Sequence, residues 1–363
     1  MQFHIENLFG WCIKLRKNVY FAVLFLLVYL LGVASGFLVY SFYTDNLGMQ
    51  NNHEPLPAKS NADVSQQEYV WIGTMTSHPM YVNHDQKALK KFGKDMGVKV
   101  TVEGPADYDI PGQAAAIEKV IKRKPAGIMV LGMERALVPL VNKAIEAGIP
   151  TITVDADLIE SKRIAFVGSN WYNIGVRQAE TLAKLIGGKG KVAIMGIFGA
   201  DNMEQGFAGF KSVMANYPDI KIIGEFDDMA DVDEARRITE EIISRHPDIA
   251  GIAGFDTNSG PGIAAAVKAA DMAGKIKITC VDIEPLHLKY LKEGVIHKLF
   301  GQKRELFTYY GARLLYDINN PSISITGDDK KNGIIAVPYI IDTGFIEVDA
   351  GNVDNIIESI KLK

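Results

Sequence analysis

Cysteine is nearly missing from this chain: Cys12 and Cys280 are the only two among 363 residues. One precedes a hydrophobic run and the other sits in a strand-like run, so no disulfide is expected. That leaves the compartment open, because only small secreted domains depend on such staples. The seven histidines show no HxxxH spacing and the cysteines no CxxC, and His78 and His84 flank a turn rather than share a helix face, so no metal site is expected. Neither sign of charge is in large excess. A net charge of −4 and a pI near 6.0 give no electrostatic footprint for nucleic acid. GxSxG, HExxH and the kinase set are all absent, and Ser259 and the scattered histidines form no triad, so no enzyme is expected. Gly187–Gly190 has the composition of a phosphate loop. It follows a helix and precedes a strand, the reverse of the phosphate fingerprints, and reads as a helix-to-strand turn. Gly260-Pro261-Gly262 opens a helix, where glycine permits close packing. No cofactor is implied.

What the chain does contain begins with one long apolar run. Val19 to Tyr43 carries no charge, and at ~1.5 Å per residue it exceeds a ~30 Å hydrocarbon core. Lys14, Arg16 and Lys17 precede it while Asp45 and Glu54 follow, which keeps residues 1–18 cytoplasmic and everything after the run outside. A cleaved signal peptide would have a shorter apolar core. Here Phe37–Tyr43 continues past the small residues Ala34, Ser35 and Gly36, which favours an uncut signal-anchor over residues 19–43. Residues 44–67 are polar and aperiodic and read as a flexible tether.

From Tyr69 to about Asn320, short apolar runs alternate with amphipathic segments. Strands are expected at Tyr69–Met75, Val98–Gly104, Gly127–Leu131 and Thr151–Val154, with helices at His84–Gly97, Ala114–Arg123 and Leu137–Ala147. After about Asn170 the rhythm restarts: helices Ile174–Ile186, Phe207–Asn216 and Glu234–Ser244, and strands Lys191–Ile197, Ile220–Phe226, Ile249–Gly254 and Ile276–Val281. Strands of about five residues separated by helices of ten to fifteen signal βαβ units and a parallel sheet. Two such series predict an α/β fold of two doubly wound lobes with a cleft between them. Several strands lead into acids: Asp155 and Asp157, Asp201, Asp256, and Asp282 with Glu284. Any one acid merely caps a following helix. Their repetition at strand ends describes a cleft lined with carboxylates from both lobes, suited to paired hydroxyls or to a cation.

These residues resemble the type I periplasmic binding proteins, in particular the ribose-binding-like sugar receptors, whose fold also serves as the effector domain of LacI-type repressors. The resemblance is carried by the Pro79 loop, Gly148-Ile-Pro-Thr-Ile-Thr-Val-Asp155, Val167-Gly-Ser-Asn170, Gly175, Gly188-Lys-Gly-Lys-Val, Gly209-Phe210, His246-Pro-Asp, Gly254-Phe-Asp256, Val281-Asp282, Ile341-Asp-Thr-Gly344 and Asn352-Val-Asp354. It runs from about Glu68 to Asp354. It implies two lobes joined by three crossovers, expected near Ser169–Asn170, Gly301–Gln302 and Asp329–Ile334. The first lobe is then 68–169 plus 302–330, the second 170–301 plus 331–350, and 351–363 a tail. The candidate contacts it implies are Thr74, His78, Met80, Tyr81 and Asp155 in the first lobe. Glu204, Gln205, Met229, Phe255, Asp256 and Asp282 supply the second lobe, and Gln302 the hinge.

The sequence departs from that pattern at Ala156 and Gly206, where such receptors carry arginine. It departs again at Ala230, where an aromatic stacks, and at Phe255, where an asparagine stands. Forked cationic donors are not replaced by small residues, so a simple ribose receptor is disfavoured. Trp171 offers a stacking face beside the first crossover. A sugar, modified sugar, polyol or cationic metabolite is expected as ligand. The chain is expected to be a membrane-anchored, extracytoplasmic monomer delivering its ligand to an ABC-type permease, with docking on a histidine kinase or other receptor as the alternative.

Overall fold

The computed structural model describes residues 64–361. The expected span 19–43 and the segments 1–18 and 44–63 lie outside them. Among the described residues no helix is long and apolar enough to cross a membrane. The tether reading of 44–67 ends too late. Val64–Gln66 form a 3₁₀ turn, and Gln67 is tied to Asn320 by side-chain hydrogen bonds of 3.1 and 2.9 Å.

The strands are β1 (Glu68–Ile72), β2 (Lys99–Glu103), β3 (Gly127–Leu131), β4 (Thr151–Val154), β5 (Phe166–Gly168), β6 (Gly190–Gly196), β7 (Ile220–Asp227), β8 (Ile249–Gly254), β9 (Lys277–Val281), β10 (Lys298–Gln302), β11 (Ile340–Asp342) and β12 (Phe345–Val348). They form two six-stranded sheets, β11-β5-β4-β3-β1-β2 and β12-β10-β9-β8-β6-β7. The first is parallel throughout; in the second only the edge strand β12 runs antiparallel, against β10. Helices cover both faces, which explains why β3 (GIMVL) and β4 (TITV) are buried at every position.

Each lobe reverses strand order beside its first strand, between β3 and β1 and between β8 and β6. Ligands of open α/β sheets sit outside the carboxyl ends at such points. A buried glutamine braces each lobe near there. Gln113 Nε2 donates to the carbonyls of Ile72 and Leu131, and Gln178 Nε2 to those of Gly254 and Thr279. Helix starts follow the sequence chemistry: Asp109, Asn170 and Asp231 cap the helices Ile110–Arg123, Trp171–Leu185 and Val232–Arg245 by accepting the backbone N–H three residues on. Helices Trp171–Leu185 and Asp201–Met214 touch backbone to backbone: a Cβ on Gly175 would lie 2.0 Å from the Gly206 carbonyl, and one on Gly209 2.1 Å from that of Tyr172.

The chain passes between lobes at Ser169–Asn170, at Lys303–Arg304 and at Thr343–Gly344. The last point corrects the expected crossover at 329–334. Ile340–Asp342 pairs with β5 and so stays in the first lobe, and the chain returns only with β12. The strand is three residues long and half exposed, which leaves no apolar period to read. Nor is the segment from 351 a tail. Val353–Lys361 is a helix with Val353 in the second-lobe core and Asp354 ion-paired to Lys292 at 2.6 Å.

Candidate ligand-binding site

The strand ends of the two lobes face each other. Asp155 follows β4 and Asp282 follows β9, and both hold the left-handed backbone, at φ 68° and 73°. A non-glycine residue there is strained, and such strain collects at ligand sites. Asp282 accepts from Gln302 Nε2 at 3.1 Å and from the Thr257 hydroxyl. Asp155 accepts from Arg304 Nη2 at 2.7 Å.

Arg304 was not among the expected residues, and it organises the first-lobe floor. It is buried, it also grips Asp85 through Nε at 3.0 Å and Nη2 at 3.3 Å, and its guanidinium lies 4.9 Å from the centroid of Tyr81. Burial pushes Asp85 up to about 7 against the pull of Arg304. Arg304 is a forked donor that enters from the second crossover, and its fork is engaged by Asp85 and Asp155. All the sequence offers for it is its place two residues after the hinge glutamine Gln302, which alone marks no contact. Ala156 itself is fully buried, and Asp157, three residues past the strand, is held by the buried Arg163 and by Thr153, with the Arg163 guanidinium 4.5 Å from the Tyr339 ring centroid.

In the second lobe Asp228, Asp256 and Asp282 cluster without arginine. Ser259 donates its hydroxyl to Asp228, and Asp256 accepts the Asn258 N–H at 2.8 Å. Burial lifts Asp228 to about 6; burial, then the charge of Asp228, lifts Asp256 to about 7.

A cavity of about 160 Å³ opens between the lobes on the hinge side. Asp155, Asp157, Ile159, Phe166, Ile340 and Asp342 line it from the first lobe, and Trp171, Asp201, Asn202 and Gln205 from the second. Two of its buried polar atoms, Trp171 Nε1 and Asn202 Oδ1, have no partner in the protein. Asp201 is raised above the usual carboxylate range by burial. A larger depression of about 630 Å³, lined by Ile149, Pro150, Ile164, Ile318, Ile335 and Tyr339, lies where β4 begins. That is the opposite end of the first sheet from the acids, so the smaller cavity is the candidate site.

Of the expected contacts, Asp155 and Gln205 line the cavity. Thr74, Met80, Tyr81, Asp282 and Gln302 are buried in the adjoining floor, where Met80 Sδ meets the Thr257 hydroxyl across the cleft at 3.4 Å. Thr74 Oγ1 and Gln302 Oε1 are buried there without partners. His78 is half buried, its Nδ1 accepting the Met80 N–H at 3.4 Å, and burial lowers its pKa. Glu204 and Met229 are exposed on the second-lobe side, Met229 to 69%. Asp256 lies beneath the surface beside Asp228. Phe255 is a correction. It is fully buried, edge-on to Phe207 and Phe210 at 5.1 and 6.0 Å. A Cβ on Gly206 would lie 2.9 Å from the Phe255 ring. The departures at 206 and 255 are therefore one exchange: the ring fills the space that the missing side chain at 206 leaves.

The periplasmic binding protein domain family matches residues 69–320. A D-ribose/D-allose-binding protein of Pseudomonas aeruginosa is 25% identical over 248 residues, which are 65% of this chain and 76% of that protein. A xylitol-binding protein of Mycolicibacterium smegmatis is 26% identical over 197 residues, 53% of this chain and 56% of that one. Among solved structures, an arabinose binding protein from Geobacillus stearothermophilus matches with a TM-score of 0.68 and 30% identity, covering 80% of this chain and 99% of that one.

Proposed function

The chain belongs to the family of the periplasmic binding protein domain, and from that premise we propose that it is an extracytoplasmic solute receptor whose lobes close on a neutral sugar or polyol. One observation carries the ligand class. Trp171 Nε1 can only donate and Asn202 Oδ1 can only accept; both are buried and unpartnered, and the two residues line one cavity. A hydroxyl does both jobs, and a run of neighbouring hydroxyls satisfies them together with Asp155 and Asp201. The relatives that bind ribose, allose, xylitol and arabinose support the same class.

The apolar run 19–43 then holds the receptor at the outer membrane surface, where a tether raises its effective concentration for a membrane partner. An ABC-type permease is the first such partner. The same tether suits a second reading, in which the closed form signals to a fixed receptor such as a histidine kinase.

The test is a thermal-shift panel on the full chain with xylitol, D-ribose, D-allose and D-arabinose, plus amino analogues of the same skeletons. A neutral member should raise the melting temperature by mass action, and Trp171→Phe should remove most of that rise. No shift with any neutral member, or an equal shift in Trp171→Phe, would overturn the reading.

A further inference from the structure

His84 stands where the lobes meet. It belongs to the first-lobe turn Tyr81–Gln86. Its Nε2 lies 3.1 Å from Glu284 Oε1, which the second lobe supplies just past β9, and its Nδ1 lies 3.1 Å from Glu305 Oε1 of the first lobe. Carboxylates accept hydrogen bonds and do not donate them, while a neutral imidazole carries one N–H. Both contacts are therefore hydrogen bonds only when both ring nitrogens are protonated.

The other charged and titratable groups around this cluster do not remove that requirement. Asp85 shares the turn, with Arg304 against it. His287 and Arg304 act on Glu284 from its own lobe and from the second crossover. His78 faces Glu284, Asp282 and Arg304. Among the described residues, polar contacts that also cross the cleft include two weaker ones: the Thr257 hydroxyl against a thioether sulfur, and an exposed Arg135–Glu204 pair at 3.7 Å.

We propose that His84 latches the two lobes together, that it does so only as the imidazolium, and that closing the cleft therefore takes up a proton. This rests on the clamp reading above but not on the identity of the solute. Hydrogen bonds to Glu284 and then Glu305 lift His84 to about 9 with the lobes in contact. Against burial, the bond from His84 holds Glu284 below its usual value. Opening separates His84 from Glu284 and leaves Glu305 beside it, so the open form holds the proton less tightly. The higher value belongs to the closed form. Its advantage is complete below the open-form value and is lost as pH rises through about 9. Capture is thus favoured near neutrality and release in alkali.

The experiment uses the full chain in lipid nanodiscs with no solute added, so its outcome is independent of the thermal-shift panel. In a Cys12→Ser background, spin labels at Tyr108→Cys and Met229→Cys report the distance across the cleft by pulsed electron resonance, both positions being exposed and Cys280 buried. From pH 7 to pH 10.5 the ratio of short to long distance populations should fall about tenfold for each unit by which the two forms differ in pKa. His84→Gln should flatten that profile, and Glu284→Gln should flatten it while leaving His84 in place. A profile in His84→Gln that matches the unsubstituted chain overturns the proposal. So does a ratio independent of pH, or no short-distance population at any pH.

Discussion

The two lobes repeat one sheet and solve one electrostatic problem differently. In the first, Asp85, Asp155 and Asp157 each meet an arginine, Arg304 or Arg163, and both arginines are buried. In the second, Asp228, Asp256 and Asp282 are held by Ser259, Thr257, Gln302 and backbone N–H groups, with no ion pair to them among the described residues. A buried carboxylate needs either a counter-charge or a proton. The first lobe supplies the counter-charge and so presents Asp155 in one fixed orientation. The second uses neutral donors, and its deeper acids hold on to protons. A clamp built this way has one jaw whose acids are oriented by arginine and one whose acids rest on neutral donors.

The strongest way to break that difference is Arg304→Met. It leaves Asp155 buried without a counter-charge and should cost about 3–5 kcal/mol of folding stability, read by urea denaturation at pH 8. An effect no larger than that of an ordinary surface substitution would mean that the first lobe does not depend on its arginine. The double variant with Asp85→Leu keeps the test clear of a simple packing loss: it should be no less stable than Arg304→Met alone, since Asp85 has already lost its partner.

That arginine also marks the limit of what could be read from the chain. The strands were legible because a parallel sheet covered on both faces demands unbroken apolar runs, and Gly127–Leu131, Thr151–Val154 and Ile249–Gly254 fall where those runs predict. Asp155 and Asp282 were legible as acids at strand ends. Arg304 was not, because an arginine before a helix reads as a solvated flank. Only the fold brings Asp85 and Asp155, distant in sequence, to its two sides. Phe255 was misread for a related reason. A residue just past a strand's end can turn to either face, and only Gly206 opposite shows that the ring turns inward. Glu284 and Glu305 could not be joined to His84 from spacing at all, since they lie 200 and 221 residues from it along the chain.

A smaller effect sharpens the second-lobe half of the comparison. Asp228 and Asp256 are lifted to about 6 and about 7, well above the unfolded value for aspartate. Their folded forms keep protons that the unfolded chain loses. Their contribution to stability is therefore full below the unfolded value and declines as pH rises toward 7. Asp256→Asn keeps an oxygen for the Asn258 N–H and cannot ionise. It should flatten part of the fall in stability between pH 4 and pH 8 and leave the protein about 1–3 kcal/mol more stable at pH 8, the cost of an unrelieved buried polar group. Asp85, also lifted to about 7, leaves some of the slope in place. A variant with the full wild-type slope would show that the second lobe does not store protons there.

The smallest effect separates the two strand-end acids directly. Thr257→Val removes a hydroxyl that donates to Asp282 and faces Met80 across the cleft, and changes no charge. Asp282 keeps Gln302 Nε2 at 3.1 Å, so the loss is one hydrogen bond among two, about 0.5–1.5 kcal/mol. Because the acid has no arginine to fix it, the freed oxygen can turn toward a ligand hydroxyl. The variant should lose stability without solute and lose less of it with solute bound, seen as a larger ligand-induced rise in melting temperature than in the unsubstituted chain. Asp155 offers less such slack, since the charged Arg304 fork holds it. An unchanged ligand-induced rise in Thr257→Val would mean that Asp282 is as rigidly set as Asp155, and that the two jaws differ in charge but not in compliance.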